Sequence, residues 1–182
     1  MLKKILIGLG IIILILVAAF IYLNNRNRTL SPPGDSSLEN DGISVTVSYS
    51  RPSARGRLIF GEEEEGALQP YGVYWRLGAN EPTFIEVNSD FIFGGKEIKA
   101  GKYVIYAIPR KAEMELRLNS DLRLWGYTEP DYTKDLATEV VRLQQNSPVE
   151  QFTIETKEIR KGVSLVFMWD RYKWTLPIKK KK

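Results

Sequence analysis

Residues 43–49 read ISVTVSY, and the alternation of Ile43, Val45, Val47 and Tyr49 with small polar residues decides the class of fold. A period of two puts the apolar side chains on one face of an extended strand and the hydroxyls on the other. The pattern recurs downstream. VYWRLGA (73–79) alternates Val73, Trp75, Leu77 and Ala79, EMELRLN (113–119) alternates Met114, Leu116 and Leu118, and YKWTLPI (172–178) alternates Tyr172, Trp174, Leu176 and Ile178. FIFGGKEI (91–98) reads as a hairpin, because Gly94 and Gly95 take positive φ at no steric cost. TFIEVN, KYVIYAI, TEVVRLQ, QFTIETKEI and VSLVFMW supply further strands, and only EPDYTKDLA offers a helical turn. About ten short strands separated by turns predict an all-β domain over residues 43–178, an antiparallel β-sandwich or flattened barrel.

Upstream the period changes. Residues 5–23, ILIGLGIIILILVAAFIYL, run 19 residues without a charge, enough at about 1.5 Å per residue to cross roughly 30 Å of hydrocarbon. This predicts a transmembrane helix after a short cytoplasmic lead, residues 1–4. A cleaved signal peptide competes, since Val17 and Ala19 suit the small-residue positions before a cut. The apolar run continues through Phe20, Ile21, Tyr22 and Leu23, which favours an uncleaved anchor. So short a lead stays inside, placing the chain in the inner (cytoplasmic) membrane as a single-pass protein with its domain facing the periplasm. Residues 24–42, rich in Asn, Ser, Pro and Gly, read as a flexible linker.

The net charge of +4 lies at the two ends. Lys3, Lys4, Arg26 and Arg28 precede residue 31, and Lys179, Lys180, Lys181 and Lys182 follow residue 178, leaving 18 cations against all 22 acids between. An acidic domain lacks the footprint of a nucleic-acid binder. The basic tail, 179–182, is expected to be mobile and is a candidate contact for anionic lipid. The chain has neither His nor Cys, which removes disulfides, thiolate chemistry and the commonest general base and metal ligand. No catalytic residue, metal ligand or cofactor motif is assigned. The acidic run in FGEEEEG reads as a solvated face.

Arginine marks the candidate site. Arg51, Arg55 and Arg57 fall in SYSRPSARGRLIFG (48–61), and Arg76, Asn80 and Glu81 in YGVYWRLGANEPTF (71–84). Extended past Tyr49, the first strand gives Arg51 the inward parity of Val45 and Val47. A buried guanidinium must find carboxylates, backbone carbonyls or an anionic ligand. One reading is a structural Arg–carboxylate lattice using Glu81, Asp170 and the glutamates of 62–65. The other is an anion-recognising pocket built from the planar fork of arginine, with Trp75 and Trp125 as apolar walls. Glu81 and Asp170 are also a nameable pair for a carboxylate-dependent hydrolase.

The blocks SRPSARGRLIFG, PYGVYWRLGANEPTFIEV, GKEIKAGKYVIYAIP, LRLWGY and VFMWDRYKWTLPI together resemble bacterial domain of unknown function family 2911, over roughly residues 43–178. The resemblance implies a β-rich, exported or envelope-associated domain and no established activity. Two function classes remain. One is a membrane-tethered, non-enzymatic β-module acting as a binding or accessory subunit of an inner-membrane complex; the other is a sensor domain for a soluble anion, carbohydrate or peptide.

Overall fold

The computed structural model describes residues 2–123 and 128–181. Helix α1 (Leu2–Leu30) carries the apolar run and continues through NNRNRTL until Ser31. Pro32 and Pro33 then stop it, since proline removes an amide donor and disfavours helical geometry in the residue before it. None of its apolar window is buried against the domain. The helix is long and apolar enough to cross a bilayer, as an anchor or as a signal sequence.

Twelve strands follow among the described residues: β1 (Pro33–Asn40), β2 (Ile43–Ser50), β3 (Phe60–Gly61), β4 (Gln69–Pro70), β5 (Thr83–Val87), β6 (Phe91–Phe93), β7 (Lys96–Ile98), β8 (Gly101–Pro109), β9 (Glu113–Asn119), β10 (Asp135–Arg142), β11 (Gln144–Ile159) and β12 (Gly162–Lys180). A six-stranded antiparallel sheet has the order β1-β2-β5-β8-β9-β10, and a four-stranded one the order β11-β12-β6-β7. They pack face to face without closing into a barrel. The apolar alternation explains the packing: Ile43, Val45, Val47, Ile85, Ile105, Leu116 and Leu118 from the first sheet meet Phe152, Ile154, Leu165, Phe167, Trp174 and Leu176 from the second. Burial of each such side chain contributes about 1.5–3 kcal/mol.

Residues 33–40 are no linker. They form β1, paired along its whole length with β2 through a two-residue turn at Asp41 and Gly42, whose φ of 52° and 72° suit Asp-Gly. Ser36 Oγ also meets Thr156 Oγ1 of β11 at 2.9 Å, which ties the edge of the first sheet to the second. Nor do residues 73–79 form a strand. Trp75 makes an isolated bridge to Ala107 of β8, and Leu77 then turns to φ 58° and breaks the ladder.

Strand β12 doubles back on itself. The Lys180 amide donates to the Lys161 carbonyl at 3.3 Å, and Phe167 stacks on Trp174 at 5.3 Å with ring planes 3° apart. The reversal centres on Asp170, which takes φ 48°. Gly162 is required by this return, since a Cβ there would overlap the Ile178 carbonyl oxygen. The strand continues through Lys179 and Lys180, paired with Ile92 and Phe91, while the Lys181 amide donates to Asp90 at 3.0 Å and its ammonium pairs with Glu97. The mobile tail expected at 179–181 is therefore an ordered strand end; Lys182 lies outside the described residues. Lys180 Nζ donates to Gly42 O at 3.3 Å, at the β1–β2 turn. With β1 rising about 3.3 Å per residue, that turn is roughly 26 Å from where the chain leaves α1.

Candidate functional site

The end of the sandwich beside α1, its base, is made of long segments rather than tight turns. Residues 51–59 and 71–82 cross it, and the reversal of β12 at Asp170 closes its floor. Beneath them Phe60, Trp75, Phe152, Trp169, Phe167 and Trp174 form an aromatic cluster, with Trp75 stacked on Trp169 at 5.5 Å and Phe60 edge-on to Trp75 at 5.6 Å. Such ring pairs add about 0.5–1.5 kcal/mol each beyond their burial. Trp75 is fixed further by its indole N–H, which donates to Gly78 O at 3.1 Å.

On this floor the base and the last turns of α1 enclose a cavity of about 860 Å³. Its helix wall is Asn24, Asn27, Arg28 and Ser31, and its domain wall includes Arg57, Gln69, Tyr74, Trp75, Arg76, Asn80, Glu81 and Trp169. The wall is a joined structure. Arg28 pairs with Glu81, Asn80 Nδ2 donates to Ser31 O at 3.1 Å, and Arg76 Nη1 donates to Asn80 O at 2.9 Å. The Ser31 carbonyl lies just past the negative end of the helix, where donors such as Asn80 and cations such as Arg28 are favoured. Asn80 itself sits at φ 57°, a conformation asparagine tolerates and most residues avoid.

The three opening arginines part company. Arg57 reaches the cavity; its Nε donates to Ala54 O at 3.0 Å and its Nη2 to Ser53 O at 2.6 Å, across the tight turn at Arg55 and Gly56. Arg55 is exposed on that turn, off the cavity, with its backbone N–H on Glu150 Oε1 at 3.0 Å. Arg51 leaves the core side of β2, lies over Gly34 and donates to Thr153 Oγ1 at 3.1 Å and to Phe152 O at 3.5 Å. The hydrogen bonds of Arg51 and Arg57 thus go to carbonyls and a hydroxyl, whereas Glu81 of the expected lattice pairs with Arg28 of the helix. Asp170 sits at the β12 reversal and is not among the residues lining the cavity, whereas Glu81 is.

Trp75, Arg57, Arg76, Asn80 and Glu81 are thereby brought to one cavity, and Arg51 and Arg55 are not. Trp125 lies outside the described residues. The glutamates of 62–65 form an exposed 3₁₀ turn, Glu63–Glu65, closed by a reciprocal capping box between Glu62 and Glu65. Sequence reasoning missed the helix wall, Tyr74 and Trp169. Tyr74 tilts onto Tyr106 at 5.3 Å on the outer side of the sheet, and burial pushes its phenol up to about 12. The Tyr74 hydroxyl and the Trp169 Nε1 are buried with no hydrogen-bond partner among the described residues.

The family match agrees with these limits. The chain belongs to the family described as Protein of unknown function (DUF2911), matched over residues 31–178. The match takes in β1 and begins at the last residue of the helix wall. No curated protein and no solved structure matches the chain.

Proposed function

We propose that the chain is a membrane-tethered, non-enzymatic binding module of the bacterial envelope, held by an uncleaved α1 in the inner membrane, facing the periplasm and taking an anionic ligand in the cavity at its base. The observation that carries this is the cavity itself: about 860 Å³, within the range of small-molecule sites, with Arg28, Arg57 and Arg76 on its walls. The cavity's carboxylates are engaged as acceptors, Glu81 by Arg28 and Glu129 by the Tyr132 hydroxyl at 3.0 Å, which favours binding over hydrolysis.

Thermal denaturation of the full-length chain in detergent, with and without inorganic phosphate, sulfate and small carboxylates, tests the site. At least one anion should raise the melting temperature, and Arg57→Met and Arg76→Met should abolish that rise. An unresponsive wild type, or a response kept by both variants, refutes the anion site. Alkaline extraction and a reporter after Lys182 test the anchor separately: the chain should stay in the membrane with the reporter active outside the cytoplasm, and a mature protein starting near Phe20 would mean a cleaved signal.

A further inference from the structure

We infer that the cavity takes its ligand from the bilayer: an anionic phospholipid whose phosphate is held by Arg28, Arg57 and Arg76 while its acyl chains stay in the hydrocarbon. This rests on the ligand-binding reading of the same cavity and names its source. The argument begins with depth. The apolar run ends at Leu23, and the helix wall is Asn24, Asn27, Arg28 and Ser31. At 1.5 Å per residue Asn24 to Arg28 stand about 1.5–7.5 Å above the hydrocarbon edge, and Ser31 about 12 Å. Half the difference between a bilayer's full thickness and its hydrocarbon core is about 5–7 Å, so the lower part of the wall, Asn24 to Arg28, lies in the headgroup layer and Ser31 just above it. A soluble ligand must enter between the domain and the headgroups. A lipid is already there.

Chemistry agrees with position. A phosphodiester presents two charged oxygens, and they would be met by the N–H groups of Arg28 and Arg57 that are not given to Glu81, Ala54 and Ser53. The amides of Asn24, Asn27 and Gln69 suit the ester and hydroxyl oxygens of a glycerol headgroup. Beside the arginines, Val73 on the cavity wall and Leu58 next to Arg57 are each 43% exposed, apolar surface of the kind that enters an interface. Attraction to anionic lipid therefore belongs to the arginines at the base, while Lys179, Lys180 and Lys181 are held at the opposite end, roughly 26 Å along β1.

The test uses the full-length chain in nanodiscs of phosphatidylcholine alone or mixed with phosphatidylglycerol, with native mass spectrometry counting the lipids that stay bound on release. Wild type should retain phosphatidylglycerol in preference to phosphatidylcholine. The Arg57→Gln/Arg76→Gln double variant should lose about tenfold in that preference, the size of one charge-assisted hydrogen bond. Arg28→Gln, which leaves Arg57 and Arg76 in place and releases Glu81, carries the same expectation if the double variant fails to fold. Replacing Lys179, Lys180 and Lys181 by Gln should change nothing. Equal retention of the two lipids by wild type, or a loss as large in the lysine variant as in the arginine variants, overturns the proposal. A parallel arm adds soluble glycerol 3-phosphate to the chain in detergent: stabilisation there with no lipid preference leaves the anion site standing and removes the lipid, whereas a blank in both arms removes both.

Discussion

The two ends of the sandwich are built on opposite plans. Far from α1, strands meet through two-residue turns, and short polar side chains clip one turn to another: Asn40 Nδ2 donates to Ile159 O and to Gly162 O at 2.8 Å each, and the Lys161 amide donates to Asp41 at 2.9 Å. At the base, strands end early and long segments run over an aromatic floor. Segment carbonyls at Ser53, Ala54 and Asn80 are met by Arg57 and Arg76 instead of by a ladder, while Arg51 and Asn80 reach out of the segments to Phe152 O of β11 and Ser31 O past α1. Tight turns satisfy the backbone locally and leave no room. Long segments need side chains to reach across to them, and the space between becomes the cavity, which is why binding chemistry gathers on loops held by a rigid frame.

Removing the floor should have the largest effect. Trp169→Ala deletes a fully buried indole packed on Trp75, Phe60 and Phe152, and should cost about 3–5 kcal/mol in denaturant melts of the full-length chain in detergent. A change below about 1 kcal/mol would mean the base is not held by its aromatic cluster. Next comes a test of the far end. Gly162→Ala forces a Cβ against the Ile178 carbonyl and should cost about 1–3 kcal/mol; a neutral result would contradict the return of β12.

Arg51→Met separates the two arginine roles at the base. It keeps most of the packing over Gly34 but loses the bonds to Thr153 and Phe152, with an expected cost of about 1 kcal/mol and an unchanged anion response. Arg57→Met should also lose stability, through its bonds to Ala54 and Ser53, but it alone should lose the anion response; an anion response lost in Arg51→Met and kept in Arg57→Met would relocate the site. The smallest effect concerns pH at the far end. The hydrogen bond from Lys99, with help from the Ala100 amide, holds Asp90 below the usual aspartate range. A depressed carboxylate contributes stability above its unfolded value, near 3.9, and loses it as pH falls through the lower folded value. The melting-temperature gap between wild type and Asp90→Asn should therefore be present at neutral pH and close in acid. A gap that widens in acid would give the wrong sign.

Most strands were legible from their apolar pattern: β2, β5, β9 and the second leg of β12 alternate because one face is buried, while β8 and the first leg of β12 are continuous apolar runs buried on both faces. Strand β1 was not, since PGDSSLEN offers only Leu38 as a large apolar side chain and owes its place to pairing with β2. The Asp41-Gly42 pair was the available signal, a hairpin turn next to a clear strand. In residues 73–79 the alternation reports burial at Trp75 and Leu77 but not at Val73, which is exposed, and it does not report the ladder, which Leu77 abandons. Arg57, Arg76, Asn80 and Glu81 were readable as one region by nearness in sequence. Arg28 was not, because its partner Glu81 is 53 residues away and the meeting is made by the whole fold.

The bond between Ser36 and Thr156 joins residues 120 positions apart, and every strand of the second sheet but the small β6–β7 hairpin comes after residue 143. During synthesis the six strands of the first sheet therefore emerge with their inner face bare, and β1 waits for a partner that is among the last to arrive. Long-range pairing of this kind is slow and exposes apolar surface while it is incomplete. Under the anchored reading proposed above, α1 would reach the membrane first, and the chain would pass that interval tethered while the last strand covers the core.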